Sequence, residues 1–418
     1  MTTQVNNIGG TPVNPPTILR THNLAAISVL ISSLALAVYM SGVDPVLAPL
    51  WLLGIMAGFT LQRSRFCFAS AFRDLFLFGN SKILKGILVG LSISTIGFAI
   101  NMYGMVPFPN FGVLPSEANI LPFGISTIFA GIIFGFGMVI SGGCVSGSLY
   151  RMAEGYIGSW VSIGGVLIGL GLISQSWNWW WTNFISNEEK IWIPSKLDLG
   201  YGGAVVVTLS LLFIVFLFLV WWESRVGLSM PDMKRKEEPN NTFNEKLGSI
   251  WNTIFVRGWS PIVGGGILGG IVVLMYLSHM PWGVTGELTR WSNNIMTFMN
   301  MAPPDALGLS ELGGCAGRAD ESGFFSHTFA VTVGILPGSF IAALFSREFK
   351  LRFPQNRKRY IQALGGGVIM GYGAGLAIGC TVGAFFSAVP SLSLSGWLFA
   401  ASLAGGSFIG VQAIKRIS

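Results

Sequence analysis

About ten apolar stretches in the chain are long enough to cross a lipid bilayer, and no other feature limits the fold as strongly. Inside a bilayer, every backbone polar group must find a partner within the protein, so stretches of this length form helices. Only 10% of the 418 residues are charged, which agrees with this interpretation. The sequence therefore predicts an all-α fold, a polytopic membrane helical bundle of about ten transmembrane helices. The predicted spans are 24–42, 49–66, 83–103, 122–143, 158–176, 201–222, 259–279, 326–346, 361–380 and 395–413.

Basic residues are concentrated in alternate loops, and this pattern predicts the orientation of the chain. Loops rich in Lys and Arg lie on the cytoplasmic side of a membrane. The intervening loops carry tryptophans instead, mainly at 177–200 and 281–325, as is typical of a membrane-water interface. We therefore expect the basic loops and both termini to be cytoplasmic. The basic residues that decide this are Arg63, Arg65, Arg73, Lys82, Lys85, Arg151, Arg225, Lys234, Arg235, Lys236, Lys246, Arg347, Lys350, Arg352, Arg357, Lys358, Arg359, Lys415 and Arg416.

A motif of glycines and one cysteine occurs twice in the chain. The copies at residues 135–147 and 371–383 both read G-[FY]-G-x5-G-C-x-x-G, with Cys144 and Cys380 at the same position. Glycine this dense in apolar sequence brings the backbone close to a neighbouring helix or to a ligand. Helix packing alone requires small residues but not a cysteine at a fixed position. The motif therefore predicts a functional site rather than only a packing surface.

Counting the spans places the two motif copies in opposite orientations across the membrane. The first copy lies on a span that runs towards the cytoplasm, and the second lies on a span that runs away from it. Two inverted-topology repeats of this kind create a substrate path between them. We therefore predict a polar N-terminal tail, a first transmembrane repeat, a cytoplasmic linker and a second transmembrane repeat, at residues 1–22, 23–222, 223–257 and 258–418.

Cysteines and the glycines beside them form the candidate substrate-binding site. A thiol has a polarizable sulfur and is a weak hydrogen-bond donor and acceptor, so it can hold a soft sulfur-bearing anion and still release it. Backbone N–H groups in glycine-lined loops can face the oxygens of such an anion. The alternative for each cysteine is a buried small residue that only packs, and this alternative is favoured for Cys315, which has no counterpart in the repeat. The candidate residues are Cys67, Cys144, Cys380, Gly143, Gly147, Gly379 and Gly383.

Several short motifs follow one another in a definite order along the chain. They are Leu61-Gln62-Arg63-Ser64-Arg65-Phe66-Cys67-Phe68, Ala71-Phe72-Arg73-Asp74, Gly143-Cys144, Tyr150-Arg151-Met152-Ala153-Glu154-Gly155, Trp282-Gly283-Val284-Thr285-Gly286-Glu287 and Gly379-Cys380. Together they resemble the YeeE/YedE family of sulfur-compound transporters, with features of its selenium-associated YedE branch. The resemblance covers nearly the whole chain.

This resemblance implies a membrane bundle with pseudo-symmetric halves that takes up thiosulfate or a related sulfur or selenium anion. It carries the substrate-contacting role onto Cys144 and Cys380, and also onto Cys67. It further implies a prokaryotic inner-membrane location and a cytoplasmic sulfur-carrier protein as a candidate partner. The chain departs from the thiosulfate-transporting pattern at Val145-Ser146-Gly147-Ser148 and is closer there to the selenium-linked branch.

Two other function classes stay open at this point. A membrane-embedded sulfurtransferase-like enzyme would need an activated thiolate, yet no His or Lys stands next to Cys144 or Cys380. A passive anion channel agrees with the absence of Asp and Glu from the predicted spans. We predict no cofactor, no metal site and no nucleic-acid binding, because the cysteines lack zinc spacing and basic patches interleaved with aromatic residues are absent.

Charged residues near the spans are predicted to have structural roles. We expect Arg63, Arg65, Arg73 and Asp74 to anchor the topology, with a local ion pair among them, and the alternative is an anion-handling exit vestibule. We expect the charged residues of the outer loop to be solvated. These are Glu287, Arg290, Arg318, Asp320 and Glu321.

The predicted orientation can be tested with reporter fusions. A reporter that is active only in the cytoplasm should be active when fused within residues 223–250 or at the C-terminus, because these segments follow the positive-inside rule. The same reporter fused within residues 177–200 should be inactive. Activity measured at all three positions at equal expression checks the prediction, and the reverse pattern would contradict it.

Overall fold

The structure, a computed structural model, is mostly helical in the residues it describes, which are 16–109, 113–115, 117–196, 198–226, 251–312 and 324–417. Short helical turns are also present, the longest being a π-helical turn at Thr381–Ser387. Within these ranges the chain forms only isolated β-bridges and no β-sheet. The main helices are α1 (Pro16–Val43), α2 (Leu47–Ser64), α3 (Phe68–Phe78), α4 (Lys82–Met105), α5 (Ile125–Ser141), α6 (Val145–Ala153), α7 (Ile157–Asn183), α8 (Gly200–Val226), α9 (Pro261–Ser278), α10 (Thr285–Phe298), α11 (His327–Phe345), α12 (Arg357–Leu376) and α13 (Leu394–Ile417).

The predicted all-α membrane bundle is confirmed, with fewer spans than expected. Within the described part of the chain, 8 helices are long and apolar enough to cross a membrane, or 9 if the bent pair of α12 and the π-helical turn is one span. The predicted span at 49–66 is the helix α2, which does not count among them because its last turn carries Gln62 and Arg63. The predicted tail at 1–22 falls largely outside the described residues, and so does most of the predicted linker at 223–257.

Several long helices end at a break and are followed by a short helix. The ends of α2, α5 and α12 coincide with residues in the left-handed region, which are Arg65 (φ 48°), Gly142 (φ 86°) and Ile378 (φ 55°). A residue in this conformation turns the chain out of the helix. The next short helix then starts within the bundle. Cys67 precedes α3 in this way, Cys144 precedes α6, and Cys380 precedes the π-helical turn.

Glycines allow the long helices to pack with their backbones nearly in contact. On α9, a Cβ atom at Gly265 would overlap the carbonyl oxygen of Gly86 on α4. Helices α2 and α11 approach in the same way at Gly58 and Gly338, where a Cβ atom would overlap the backbone of the facing helix. Small residues at helix contacts are the usual means of close packing in membranes, where association is driven by van der Waals contact rather than by the hydrophobic effect.

The two motif-bearing helices, α5 and α12, cross each other through their glycines. A Cβ atom at Gly137 would lie 2.5 Å from Met370 N, and one at Gly373 would lie 2.7 Å from Phe134 N. Because residue numbers rise along one helix as they fall along the other, the two helices run antiparallel. The first part of each motif is therefore a packing surface, and only the part around each cysteine is left for a ligand.

The bundle has two chemically different ends. The arginine-rich end, where α2, α6 and α11 finish, carries Arg65, Arg151 and Arg352. The opposite, tryptophan-rich end is where α7 finishes, and there Trp177 donates to the carbonyl oxygen of Leu307. At this end His327 also contacts Asp44 at 2.9 Å, which attaches the mostly exposed α1 to α11.

We predict that Gly265→Ala destabilises the protein, because the new methyl group overlaps the backbone of α4. Overpacking of this kind costs about 1–3 kcal/mol. Gly270→Ala on the same helix is the control, since nothing lies within 4 Å of a Cβ atom there. The thermal unfolding midpoint in detergent should fall only for Gly265→Ala. Equal midpoints for both variants would contradict the close approach of α4 and α9.

Candidate functional site

The structure brings Cys67 and Cys144 together as a pair of buried thiols. Their Sγ atoms lie 3.8 Å apart, and neither residue is exposed. Both are free cysteines. Each precedes the first residue of a short helix, and Cys144 Sγ accepts a hydrogen bond of 3.3 Å from the backbone N–H of Gly147. Two polarizable sulfur atoms thus lie next to each other inside the bundle.

Gly147 is required for this thiol pair. A Cβ atom at this position would lie 2.6 Å from Cys67 Sγ and 3.0 Å from Cys144 Sγ, and both distances are shorter than a van der Waals contact. The last glycine of the motif therefore makes room for the second thiol. Gly143 has a different neighbour, because a Cβ atom there would lie 3.0 Å from Ser148 Oγ.

Cys380 lies in a separate part of the bundle from the thiol pair. It is fully buried at the start of the π-helical turn, and the segment after that turn is hydrogen-bonded to the tryptophan-rich end through Ile193 N and Leu392 O. A Cβ atom at Gly379 would lie 2.9 Å from Ala384 N, and the Gly383 carbonyl oxygen accepts a hydrogen bond from Asn119 Nδ2 at 3.2 Å. Among the described residues, the only thiol–thiol contact is that between Cys67 and Cys144.

Phenylalanine rings connect the break at Cys67 with the turn that follows Cys380. Phe68 packs edge to face against Phe385 and Phe386, with ring centroids 6.2 and 5.8 Å apart. The same turn reaches the break between α9 and α10, where Ser387 Oγ donates to the carbonyl oxygen of Trp282 at 2.9 Å. The two cysteine-bearing regions are therefore joined by an aromatic contact.

Two buried threonine hydroxyls near these breaks were not identified from the sequence. Thr285 begins α10 and Thr381 follows Cys380, and both side chains are almost completely buried. The Oγ1 atom of each lacks a hydrogen-bond partner within the described residues. A buried hydroxyl without a partner carries an energetic cost that a ligand oxygen would remove. Their position directly after a helix break is the sequence signal that could have identified them.

Glu287 is buried, and the expectation that it lies in a solvated loop is wrong. Its carboxylate forms an ion pair with Arg290 at 2.6 Å and accepts hydrogen bonds from Ser326 and Thr328 at 2.9 and 3.0 Å. These contacts fasten α10 to the start of α11, so their role is structural. Cys315 lies outside the described residues. So do the other charged residues of that predicted loop, which are Arg318, Asp320 and Glu321.

The basic residues in the last turn of α2 and just after it have different roles. Arg73 and Asp74 form the expected local ion pair at 2.9 Å. Arg63, by contrast, is buried and donates to the carbonyl oxygen of Val256 at 2.8 Å, so it is not a solvated anchor. Arg65 is exposed and pairs with Glu348 at 2.9 Å. The hydrogen bond from Arg65 to this carboxylate raises the pKa of the guanidinium.

A glutamine joins two carboxylates at the arginine-rich end. Gln62 Nε2 donates to Glu154 Oε1 at 3.0 Å and to Glu348 Oε2 at 2.7 Å, so it connects α2 with the ends of α6 and α11. Burial raises the pKa of Glu154, and the hydrogen bond from Gln62 opposes this shift. The carboxylates in this region are thus held by neighbours within the protein.

Two cavities open at the arginine-rich end. The smaller cavity has a volume of about 270 Å³, and the larger one of about 590 Å³. Both are lined by Arg151, Tyr156 and Arg352. Gly143 lines the larger cavity, which places one of the predicted site glycines at its wall.

The sequence profile of a family described as Sulphur transport matches residues 63–409. That range contains all three described cysteines and both copies of the glycine motif. The chain belongs to this family. The resemblance to YeeE/YedE transporters is therefore confirmed, and the chain is a membrane transporter of sulfur compounds rather than an enzyme.

Individual relatives agree with the assignment to this family. The chain is 30% identical over 359 residues to a protein named thiosulfate transporter TsuA from Spirochaeta thermophila, with 83% of this chain and 92% of that protein covered. It is 27% identical over 352 residues to the Escherichia coli protein of the same name, with coverages of 82% and 88%. An Escherichia coli protein named probable transporter YedE is 32% identical over 185 residues, which are 44% of this chain and 42% of that protein.

We predict that a membrane-permeant arsenical that bridges two thiols, such as phenylarsine oxide, binds the wild-type protein at one high-affinity site. The reason is the 3.8 Å separation of Cys67 Sγ and Cys144 Sγ. Cys67→Ser and Cys144→Ser should each abolish that binding, whereas Cys380→Ser should retain it. Bound arsenic per protein measures the effect. Loss of binding in Cys380→Ser, or its persistence in Cys67→Ser, would contradict the pairing.

Proposed function

We propose that this protein imports thiosulfate along a path on which Cys380 and the Cys67–Cys144 pair contact the anion. The observation that carries the proposal is the buried thiol pair, held 3.8 Å apart at the starts of two short helices. Two relatives that align with most of the chain are named thiosulfate transporters, which supports this choice of substrate. Selenite and sulfite are the alternative substrates to compare with it.

The chemistry of the site suits the two ends of thiosulfate. Its terminal sulfur is soft and polarizable, so it can exchange weak S–H···S contacts with a thiol. Its oxygens require donors, and the hydroxyls of Thr285 and Thr381 are buried and unpartnered near the helix breaks. Weak contacts at several successive points favour passage over retention. In this proposal, Gly143, Gly147, Gly379 and Gly383 keep the cysteines accessible to the anion and to each other.

The orientation and the two repeats are further parts of the proposal. The arginine-rich end faces the cytoplasm and the tryptophan-rich end faces outwards in the prokaryotic inner membrane, as the basic loops predict. The antiparallel crossing of α5 and α12 supports two inverted repeats, because inverted copies of one helix must run in opposite directions. A cytoplasmic sulfur-carrier protein would receive the anion at the arginine-rich end.

Uptake measurements test the proposal. Cells that produce the wild-type chain should accumulate labelled thiosulfate faster than cells with an empty vector. Cys144→Ala and Cys380→Ala should each abolish this uptake while the protein still folds, because each removes a thiol that contacts the anion. Labelled selenite and sulfite, measured in parallel, identify the preferred substrate.

The controls are Val145→Ala and Val382→Ala, which are buried residues within the same two motifs. Each truncation removes apolar volume beside a cysteine but leaves the thiol in place, so uptake should persist. Membrane levels of every variant are compared by immunoblot, and folding is compared by size-exclusion chromatography. Uptake at wild-type level in either cysteine variant would refute the role of that thiol.

A further inference from the structure

Arg151 is a cation without a carboxylate partner, placed directly below the thiol pair. It lies on α6, seven residues after Cys144 and so on the same side of the helix. Within the described part of the chain, none of the ion pairs involves Arg151. A partly buried charge in a membrane protein is costly unless it is neutralised, and among the described residues no carboxylate lies close enough to Arg151 to form an ion pair.

The guanidinium group of Arg151 forms hydrogen bonds with residues close in sequence to both cysteines. Its Nη1 atom donates to the carbonyl oxygen of Gly142 at 2.8 Å, two residues before Cys144. Its Nη2 atom contacts Ser70 Oγ at 3.4 Å, three residues after Cys67. The contact of Nε with the Tyr150 hydroxyl is also long, at 3.3 Å. A guanidinium group has five N–H donors, so much of its capacity to bind oxygen is left for a ligand.

The two cavities that share Arg151 differ in charge. The smaller one contains Glu154 and Glu348, which face its arginines. Every charged residue that lines the larger one is an arginine, namely Arg73, Arg151, Arg352 and Arg359. Arg73 is paired with Asp74, whereas Arg352 stacks on Tyr156 and, among the described residues, its guanidinium donates only to a carbonyl oxygen. The larger cavity would therefore attract an anion leaving the thiols more strongly than the smaller one, where two carboxylates offset the arginines.

We propose that the larger cavity is a second anion site, in which Arg151 binds the oxygens of a divalent sulfur oxyanion after it leaves the Cys67–Cys144 pair. The proposal rests on the transport function proposed above and extends it to the release step. The thiols recognise the soft sulfur, whereas the guanidinium recognises charge and oxygen through its planar array of donors. Sulfate, which lacks the terminal sulfur, should therefore bind at Arg151 although the thiols do not select it.

The test uses right-side-out membrane vesicles loaded with potassium sulfate, or with potassium gluconate at equal ionic strength. Internal sulfate should slow the initial uptake of labelled thiosulfate by the wild-type protein, because it occupies the site at Arg151. In Arg151→Gln, uptake should be slower, and the sulfate concentration that halves the rate should rise by about tenfold or more, since a charge-assisted contact is lost. Arg151→Lys retains the charge but lacks the planar donor array, so it should need several-fold more sulfate than the wild type and less than Arg151→Gln.

Arg65→Gln is the matched control, because it removes the same charge from the smaller cavity only. Its sulfate inhibition should equal that of the wild type. Unchanged sulfate inhibition in Arg151→Gln would overturn the proposal, as would an equal loss of inhibition in Arg65→Gln. If Arg151→Gln does not fold, Arg151→Lys decides the question. It lacks the planar donor array, so the sulfate concentration that halves its uptake rate should be several-fold higher than in the wild type. An unchanged sulfate concentration would overturn the proposal.

A second measurement separates this inference from the transport function. If the wild-type protein does not take up thiosulfate, the function proposed above is wrong, but sulfate binding to the purified protein still tests the second site. Sulfate should raise the thermal unfolding midpoint of the wild type and of Cys144→Ala, and it should have no such effect on Arg151→Gln. A midpoint shift of wild-type size in Arg151→Gln would show that sulfate binds elsewhere.

Discussion

Close backbone packing at glycines is the constraint on which the rest of the bundle depends. Where α4 meets α9, and where α2 meets α11, a single added methyl group would overlap the facing backbone. Packing this close lets long helices hold one another through van der Waals contact in an environment where the hydrophobic effect between helices is absent. It holds the helices whose ends carry the cysteines. The breaks before α3, α6 and the π-helical turn themselves coincide with residues in the left-handed region.

Glycine has two distinct roles within the repeated motif. Gly137 and Gly373 allow α5 and α12 to cross, whereas Gly147 accommodates the sulfur atoms of Cys67 and Cys144. The same residue type thus supports the scaffold in the first part of the motif and the thiol pair in the last. The packing interpretation therefore holds for the first part of the motif, and the proposed ligand contacts concern only the part around each cysteine.

Much of the fold could be predicted from the sequence, because bilayer-spanning length and hydrophobicity are local properties. The all-α bundle and most of its spans follow from them, and the exception is α2, whose last turn carries Gln62 and Arg63 for contacts at the arginine-rich end. Contacts between distant segments could not be predicted in this way. The pairing of Cys67 with Cys144, the burial of Glu287 and the unpartnered hydroxyls of Thr285 and Thr381 depend on how helices far apart in sequence meet.

The contact of Phe68 with Phe385 and Phe386 has a consequence for the cell's energy balance. Protons and small inorganic ions cross a membrane along connected water, and edge-packed aromatic rings leave no room for a water column between them. On the path proposed above, a soft anion would displace the rings, because a polarizable sulfur makes favourable contacts with aromatic rings. A carrier with this path would insulate the membrane while it is idle, so its presence would not drain the gradients that other transporters use.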